Sequence, residues 1–381
     1  MSCDYLYVIL KPTLLCNLAC HYCYAREDCQ KGQVMSRNEI IQAIDFICNY
    51  AKLSRMTHVR LCWHGGEPFS LDTRIFASSL DYARKKFAQE KLALHQTVQT
   101  NLTLLNDEKI ELTKEFFSGR LGVSVDIGTH LRVDHAGNDM EDTIIEKLDY
   151  AIENGIKCAA ITQITKNNLH DIEKIYRFFK DREMFVRLSR IFPISADYDR
   201  DDSMYLTDQE YAQAEIDFFN IWTTDPHPMR NDENIHLLGD LLLGRPSLCV
   251  RQENCQQVYL SIAPGGKIFP CGEFDTADAE IGNYLKQTPE EFLASDSRNG
   301  FYKKYPVPKS CFSCRSCKTC YGGCLHDRCI AGYPYKCKSN KIYWDYLVHW
   351  LKERGLGLYA LEKATPEEAA KTMAHLLKPG P

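Results

Sequence analysis

Between residues 5 and 194 short apolar runs alternate with stretches whose apolar residues recur at helical spacing. The strand-like runs fall at 5–12, 58–66, 94–101, 121–127, 157–165 and 185–194. The helical patterns fall at 38–53, 75–89, 107–118, 143–156 and 169–182, and a further one lies near 207–222. Ser36 and Glu39 have the spacing of a capping box at the start of the first helix. This alternation predicts parallel strands joined by right-handed crossover helices. Six such units fall short of a closed eight-fold barrel. The predicted fold is therefore α/β: a partial (β/α)6 barrel of TIM type, followed by a Cys-rich domain and terminal helices. In such folds chemistry gathers at the C-terminal ends of the strands. Cys16, Gly65, Gly66, Asn101 and Asp126 all fall there.

Cysteine use narrows the reading further. Eighteen of 381 residues are Cys, in a chain too long to need disulfide staples. Lys11 and Pro12 interrupt the first apolar stretch, and no basic leader or small-residue cleavage site precedes it. The N-terminus reads as the mature start of a cytoplasmic protein, so metal binding is expected rather than disulfides. Cys16, Cys20 and Cys23 form one group, Cys249, Cys255 and Cys271 a second, and seven Cys between 311 and 337 a third. Cys3, Cys29, Cys48, Cys62 and Cys158 are scattered and read as small buried hydrophobes. The net charge of −5 disfavours a nucleic-acid partner, and no apolar run is long enough to predict a membrane span.

The expected domains are 1–195 (barrel), 196–244 (helical bridge), 245–340 (Cys-rich) and 341–381 (C-terminal helices). The bridge opens on the acidic stretch 197–203 and carries a loop at 225–236. The segment 249–337 has little periodicity, and bound metal would supply its folding energy. Tyr343, Trp344, Tyr346 and Trp350 give the last helical stretch an aromatic face.

Cys16-x3-Cys20-x2-Cys23 puts three thiolates on one tight loop after a strand. Three thiolates hold three irons of a 4Fe–4S cluster and leave the fourth iron open to a small molecule. A structural zinc site wants four ligands, and His21, between Cys20 and Cys23, is poorly placed to be the fourth. With Tyr22 at the aromatic position, the motif resembles the signature of the radical S-adenosylmethionine (radical SAM) enzymes. Gly65-Gly66-Glu67-Pro68 resembles that family's glycine motif, whose backbone meets the methionine amino group. Thr100-Asn101 closes the third strand. Ser124 and Asp126 close the fourth, where the family contacts the SAM ribose. The resemblance implies that Tyr22 lies by the adenine. It also implies reductive cleavage of SAM to a 5′-deoxyadenosyl radical, which takes hydrogen from an unactivated C–H.

Cys255, Gly266, Cys271, Cys311, Cys314, Cys320, Cys324 and Cys337 resemble the SPASM extension of that family, which holds two auxiliary 4Fe–4S clusters. Cys249 adds an eighth ligand, as in the sulfatase-maturating enzymes. By that resemblance Cys249, Cys255, Cys271 and Cys324 hold the first auxiliary cluster. Cys311, Cys314, Cys320 and Cys337 hold the second. Cys317 splits the spacing, and Cys329 competes with Cys337 as last ligand; Cys337 is preferred because an aromatic helix follows it. A zinc ribbon over 311–324 is the alternative. Fully ligated auxiliary clusters suit electron transfer, which favours net oxidation or bond formation.

The resemblance implies a peptide or protein substrate that is oxidised or crosslinked, in the manner of ribosomal-peptide maturases. The alternative is a small-molecule dehydrogenase or epimerase acting on an aminosugar or cyclitol. A zinc-binding interaction protein would leave the SAM motifs unexplained. The cluster motif begins at residue 16, so no leader-binding domain is expected before it. A peptide would arrive directly or through a separate leader-binding protein. An electron donor such as flavodoxin or ferredoxin is implied. The sulfatase-maturating enzymes carry an Asp base where this chain has Gly272. Glu273 or Asp275 is the candidate replacement, Tyr24 faces the active-site mouth in some relatives, and His64 stands beside the glycine motif.

Overall fold

The computed structural model describes residues 4–25, 30–191, 204–247, 249–251, 255–274, 276–331 and 336–376. The alternation becomes β1 (Tyr5–Thr13), α1 (Arg37–Leu53), β2 (His58–Gly65), α2 (Thr73–Gln89), β3 (Ala93–Thr100), α3 (Asp107–Phe116), β4 (Arg120–Ser124), α4 (Glu141–Glu153), β5 (Lys157–Ile164), α5 (Ile172–Lys180) and β6 (Phe185–Arg190). Next come α6 (Asp208–Thr224), α7 (Asp232–Leu243), α8 (Cys255–Val258), β7 (Tyr259–Ile262), β8 (Lys267–Phe269) and β9 (Gly282–Asn283). The last helices are α9 (Pro289–Ala294), α10 (Asp296–Lys304), α11 (Cys317–Cys320), α12 (Leu325–Ala331), α13 (Cys337–Glu353) and α14 (Pro366–Leu376).

The chain divides into two compact units. One takes Met1–Asp126, His130–Ala160 and Asn254–Lys304; the other takes Ile127–Thr129, Ile161–Glu253 and Tyr305–Pro381. In the first unit the strand order is β4-β3-β2-β1-β7-β8-β9. β1 lies parallel to β2 on one side, from Tyr5↔His58 to Leu10↔Trp63, and parallel to β7 on the other, from Tyr7↔Tyr259 to Leu10↔Ile262. Strand β7 arises in the stretch that looks aperiodic in sequence, and it makes β1 an interior strand. The β1–β2 register shifts between Leu10 and Thr13. Lys11 and Pro12 occupy that interval, and a proline has no N–H to give to a ladder.

The α1 capping box forms as the sequence predicts: Ser36 Oγ accepts from Glu39 N, and Glu39 Oε2 accepts from Ser36 N. Leu6, Val8, Leu10, Leu61 and Trp63 make a solvent-free sheet interior in this unit. The ring of Phe292 packs against Phe46 and Tyr50, each 5.8 Å away.

The second unit takes the end of β5 and all of β6, and in it α13 packs on α6. Phe219 is the centre of that contact, with Trp350 at 5.1 Å and Tyr343 and Tyr346 each at 6.3 Å. The aromatic face expected at the C-terminal end is therefore a core seam. Of residues 225–236, read as a loop, 225–231 are irregular and 232–236 start α7, which Asn231 caps by accepting from Asn234 N at 3.1 Å. Residues 192–203, including the acidic stretch 197–203, lie outside the described residues. Among the described residues no helix is long and apolar enough to cross a membrane.

Candidate active site

Cys16, Cys20 and Cys23 lie on the loop that leaves β1. The loop is fastened from two directions. Ala19 N and His21 N donate to Val133 O and Leu131 O, at 2.8 and 2.9 Å. On the other side Gly66 N donates to Thr13 O and Glu67 N to Leu15 O, at 2.9 and 2.8 Å. This second contact explains the glycine pair. A Cβ on Gly66 would stand 2.1 Å from Leu15 O, and one on Gly65, which has φ +116°, would stand 2.1 Å from Thr13 O. The backbone of the Cys loop can lie on the end of β2 only where no side chain intervenes.

Glu67 is completely buried. Its carboxylate accepts from Phe69 N at 3.0 Å, Thr100 Oγ1 at 2.8 Å and Asn101 N at 2.7 Å. Burial raises its pKa, and these donors oppose the rise. The sequence places Glu67 among the SAM contacts. In the structure its side chain is a strut that locks the end of β2 to the end of β3. Asn101 extends the brace, donating from Nδ2 to Asn17 Oδ1 at 3.1 Å and to Cys16 Sγ at 3.6 Å. Leu18 N donates to the same sulfur at 3.4 Å. Pro68 is buried in the short turn after Glu67, and Ser124 Oγ accepts from Gln99 Nε2 at 3.0 Å.

The third brace was not legible in the sequence. Arg132 is buried and pairs through Nε with Asp126 Oδ2 at 2.8 Å. Its guanidinium lies 5.5 Å from the centre of the Tyr22 ring, and Nη1 is 4.0 Å from Cys20 Sγ. Tyr22 donates its hydroxyl to the same Asp126 oxygen. Tyr22 and Asp126, singled out for adenine and ribose, thus hydrogen-bond to each other directly, with the Arg132 cation beside both. Burial pushes the Cys20 thiol up to about 11; Arg132 pulls it down, while Cys23, Asp126 and Cys16 push it further up. The three thiols therefore sit within electrostatic reach of one another, beside one buried cation and two N–H donors. That donor set fits a thiolate-bound iron–sulfur cluster.

A second group gathers at the same end of the sheet. Lys11 is buried in β1, and its Nζ lies 5.1 Å from the centre of the Tyr24 ring. Tyr24 donates its hydroxyl to Gly272 O at 3.3 Å. Burial, with Lys11 adding, lowers the His64 pKa to about 4, while Glu273 acts in the opposite direction. Gly65 N donates to His64 Nδ1 at 2.7 Å, so the neutral ring carries its proton on Nε2. Gly272, which stands where the sulfatase-maturating pattern has Asp, leaves little space for a side chain: its Cβ would meet Ile9 Cγ1 at 3.1 Å. Glu273 is exposed, and Asp275 lies outside the described residues.

Of the other cysteines, Cys255 and Cys271 lie in the first unit and Cys249 and Cys324 in the second. The Tyr302 phenol, raised chiefly by burial, feels both Cys255 and Cys271. In the second unit the Cys311 thiol is raised by burial and then by Cys337, Cys314 and Cys317. Cys320 is pushed up to about 11 by burial, with Cys337 adding and the N–H groups of Gly322 and Gly323 opposing. Cys320, Cys324 and Cys337 line one cavity together with Arg251 and Lys336. Cys48, Cys62 and Cys158 are buried in the core, as expected of small hydrophobes. Cys3 and Cys29 lie outside the described residues.

A parallel α/β sheet with a three-cysteine loop at the end of its first strand is the radical SAM arrangement. Residues 10–179 match the radical SAM superfamily model, and the chain carries a radical SAM domain. It is homologous to the anaerobic sulfatase-maturating enzymes. The cysteine-type enzyme of Clostridium perfringens is 25% identical over 367 residues, which is 89% of this chain and 95% of the relative. The serine-type enzyme of Bacteroides thetaiotaomicron is 24% identical over 382 residues, 90% of this chain and 89% of the relative. The structure of native anSMEcpe with bound AdoMet superposes with a TM-score of 0.80 at 22% identity, covering 92% of this chain and 99% of that one. SuiB of Streptococcus suis, bound to precursor peptide SuiA, gives a TM-score of 0.60 at 17% identity, covering 86% and 73%. These likenesses show the radical SAM fold, and the family implies a 4Fe–4S cluster and SAM.

Proposed function

We propose that this chain is a three-cluster radical SAM oxidoreductase that oxidises or crosslinks a side chain of a peptide or protein in the cytoplasm. The observation that carries the reading is the convergence of Cys16, Cys20 and Cys23 on one braced loop, with donors to sulfur and a buried cation beside it. The names of the homologous relatives support a protein substrate. When bound, the cluster and SAM supply a 5′-deoxyadenosyl radical that takes one hydrogen atom from the substrate.

The protein's own groups do the rest. Gly65 and Gly66 present backbone to the methionine end of SAM, and Thr100, Asn101 and Ser124 line the strand ends. Tyr22 and Asp126, held by Arg132, form the nucleoside side. Lys11 and Tyr24 lie beside the substrate, and the Nε2–H of neutral His64 orients it. Oxidation of the substrate radical would release one electron, which a bound auxiliary cluster would accept, and one proton. Glu273 takes the proton; a neutral His64 already protonated on Nε2 is a donor there, not a base. Cys311, Cys314, Cys320 and Cys337 hold one auxiliary cluster, and Cys249, Cys255, Cys271 and Cys324 hold the other. Cys337 is preferred over Cys329 because the aromatic helix α13 starts at it. A flavodoxin or ferredoxin supplies the reducing electron.

The test is anaerobic turnover with SAM, dithionite and a panel of Cys- and Ser-containing peptides. The expected result is a peptide lighter by two hydrogens, formed together with 5′-deoxyadenosine. Turnover of aminosugars or cyclitols, with every peptide unchanged, would overturn the peptide assignment.

A further inference from the structure

The cysteine run that begins at residue 311 holds one more thiol than its cluster needs. Cys311, Cys314, Cys317 and Cys320 recur at every third residue. The second auxiliary cluster takes Cys311, Cys314, Cys320 and Cys337, which leaves Cys317 without a role. Yet Cys311-x2-Cys314-x2-Cys317 is itself a cluster-binding spacing. A C-x2-C-x2-C run ligates three irons of one cluster, and a Cys from elsewhere in the chain completes the set. The segment therefore contains two complete sets of four. Both use Cys311, Cys314 and Cys337, and they differ only in Cys317 or Cys320.

The backbone keeps these thiols together. Cys314 N donates to Cys311 O at 3.1 Å and Cys317 N to Cys314 O at 3.0 Å. Turns closed in this way bring the Cα atoms of residues three apart within about 7 Å. Tyr321 N donates to Cys317 O at 2.9 Å and closes the single turn of α11, whose ends are Cys317 and Cys320. Residues three apart on a helix are neighbours on its surface. Both flanks of Cys317 are fastened. Tyr359 donates its hydroxyl to Arg315 O at 2.8 Å, Lys318 pairs with Glu362 at 2.6 Å, and Thr319 Oγ1 donates to Asp240 O at 3.4 Å. Charge agrees with geometry. Burial, then Cys337, Cys314 and Cys317, raise the Cys311 thiol; burial, then Cys337 and Cys311, raise Cys320. Cys311 is thus within electrostatic reach of both alternatives. The two differ in surroundings. After Cys320 the backbone is left-handed at Tyr321, Gly322 and Gly323, with φ +49°, +80° and +71°. Turns of this kind aim successive N–H groups at an anion, and the N–H groups of Gly323 and Gly322 act on the Cys320 sulfur.

We propose that the second auxiliary site is a five-thiol site in which Cys317 and Cys320 are interchangeable ligands, with Cys311, Cys314 and Cys337 common to both states. The inference rests on the reading that this segment holds a cluster. In the exchange one iron–sulfur bond breaks as the other forms. The departing thiolate takes the proton that the arriving thiol gives up, and no electron moves. Hydrogen bonds to sulfur tune a cluster's potential. The Cys320 state, with two N–H groups on its ligand, therefore has the higher potential of the two.

The test is anaerobic alkylation of the reconstituted wild type with iodoacetamide, read by mass spectrometry, with iron counted on the same sample. The expected result is about twelve irons, with label divided between Cys317 and Cys320 and no molecule labelled at both. With about twelve irons present, label confined to one of the two, label on both in one molecule, or label on neither overturns the proposal. Fewer irons in the wild type show instead that a cluster assignment has failed, and the proposal with it. Variants give a second readout. Cys317→Ser and Cys320→Ser should each keep about twelve irons, and Cys317→Ser/Cys320→Ser about eight. Cys320→Ser should also protect Cys317 from label and make that cluster's midpoint potential more negative. A folded single variant with only about eight irons overturns the exchange; where a variant does not fold, the wild-type label pattern decides.

Discussion

Arg132 offers the most direct energetic test of how the site is built. Arg132 is 8% exposed and Asp126 is 2% exposed, with 2.8 Å between Arg132 Nε and Asp126 Oδ2. Replacing Arg132 by Met leaves the Asp126 carboxylate buried with Tyr22 as partner and no cation. Removing one member of a buried pair costs about 3–5 kcal/mol, most of it the penalty of the charge left behind. Replacing both residues, as Arg132→Met/Asp126→Asn, removes that charge as well, and the double variant should lie within about 2 kcal/mol of the wild type. The assay is anaerobic denaturant unfolding of the reconstituted protein, read by fluorescence and by cluster absorbance. The coupling between the two changes is the diagnostic quantity. A single variant that costs less than about 1 kcal/mol, or a double variant no better than the single, would refute the view that Arg132 compensates a buried carboxylate. Cys20 supplies a second readout. Arg132 is the largest influence opposing burial at that thiol, so the single variant should raise its pKa further and slow alkylation in the apo protein.

Other outcomes follow from the same geometry. Gly66→Ala places a methyl 2.1 Å from Leu15 O, so the Cys loop must shift; iron analysis should show loss of about one cluster's iron, with the auxiliary clusters kept. Glu67→Gln replaces one acceptor by a donor facing buried donors, and should cost about 1–3 kcal/mol in denaturant unfolding. His64 is held neutral when folded, with a pKa of about 4 against an ordinary 6.5. The unfolded chain therefore binds more protons between those values. This contribution is fully present above pH 6.5 and is lost as pH falls toward 4. Unfolding curves at several pH values should show His64→Gln with a flatter pH dependence than the wild type across that window.

Much of the fold could be read before the structure, for a physical reason. Strands β1 to β6 and the helices between them are long enough for a period to show. β7, β8 and β9 have four, three and two residues, too short for alternation to register. β7 gains its place by pairing with β1, which no local pattern reveals. α7 was hidden by the polar run before it, although its buried Leu237, Leu238, Leu241 and Leu242 keep helical spacing.

The site divides the same way. Cysteine spacing and the glycine pair are local, and they were legible. Arg132 was not: it meets Cys20 from 112 residues away, and one arginine in a loop looks like any other. Lys11 did leave a signal. A lysine interrupting an apolar strand is either misplaced or kept for chemistry, and the structure buries it. Glu67 carries the opposite lesson. It sits in a motif read as ligand-binding, yet its carboxylate joins two strand ends.

The most direct test of the central claim is an anaerobic iron and sulfide count, joined to a 5′-deoxyadenosine assay, on the wild type and on Cys16→Ala/Cys20→Ala/Cys23→Ala. The account predicts about twelve irons and 5′-deoxyadenosine from the wild type, against about eight irons and none from the variant. Zinc in place of iron with SAM left intact in the wild type, or 5′-deoxyadenosine still formed by the variant, would contradict it.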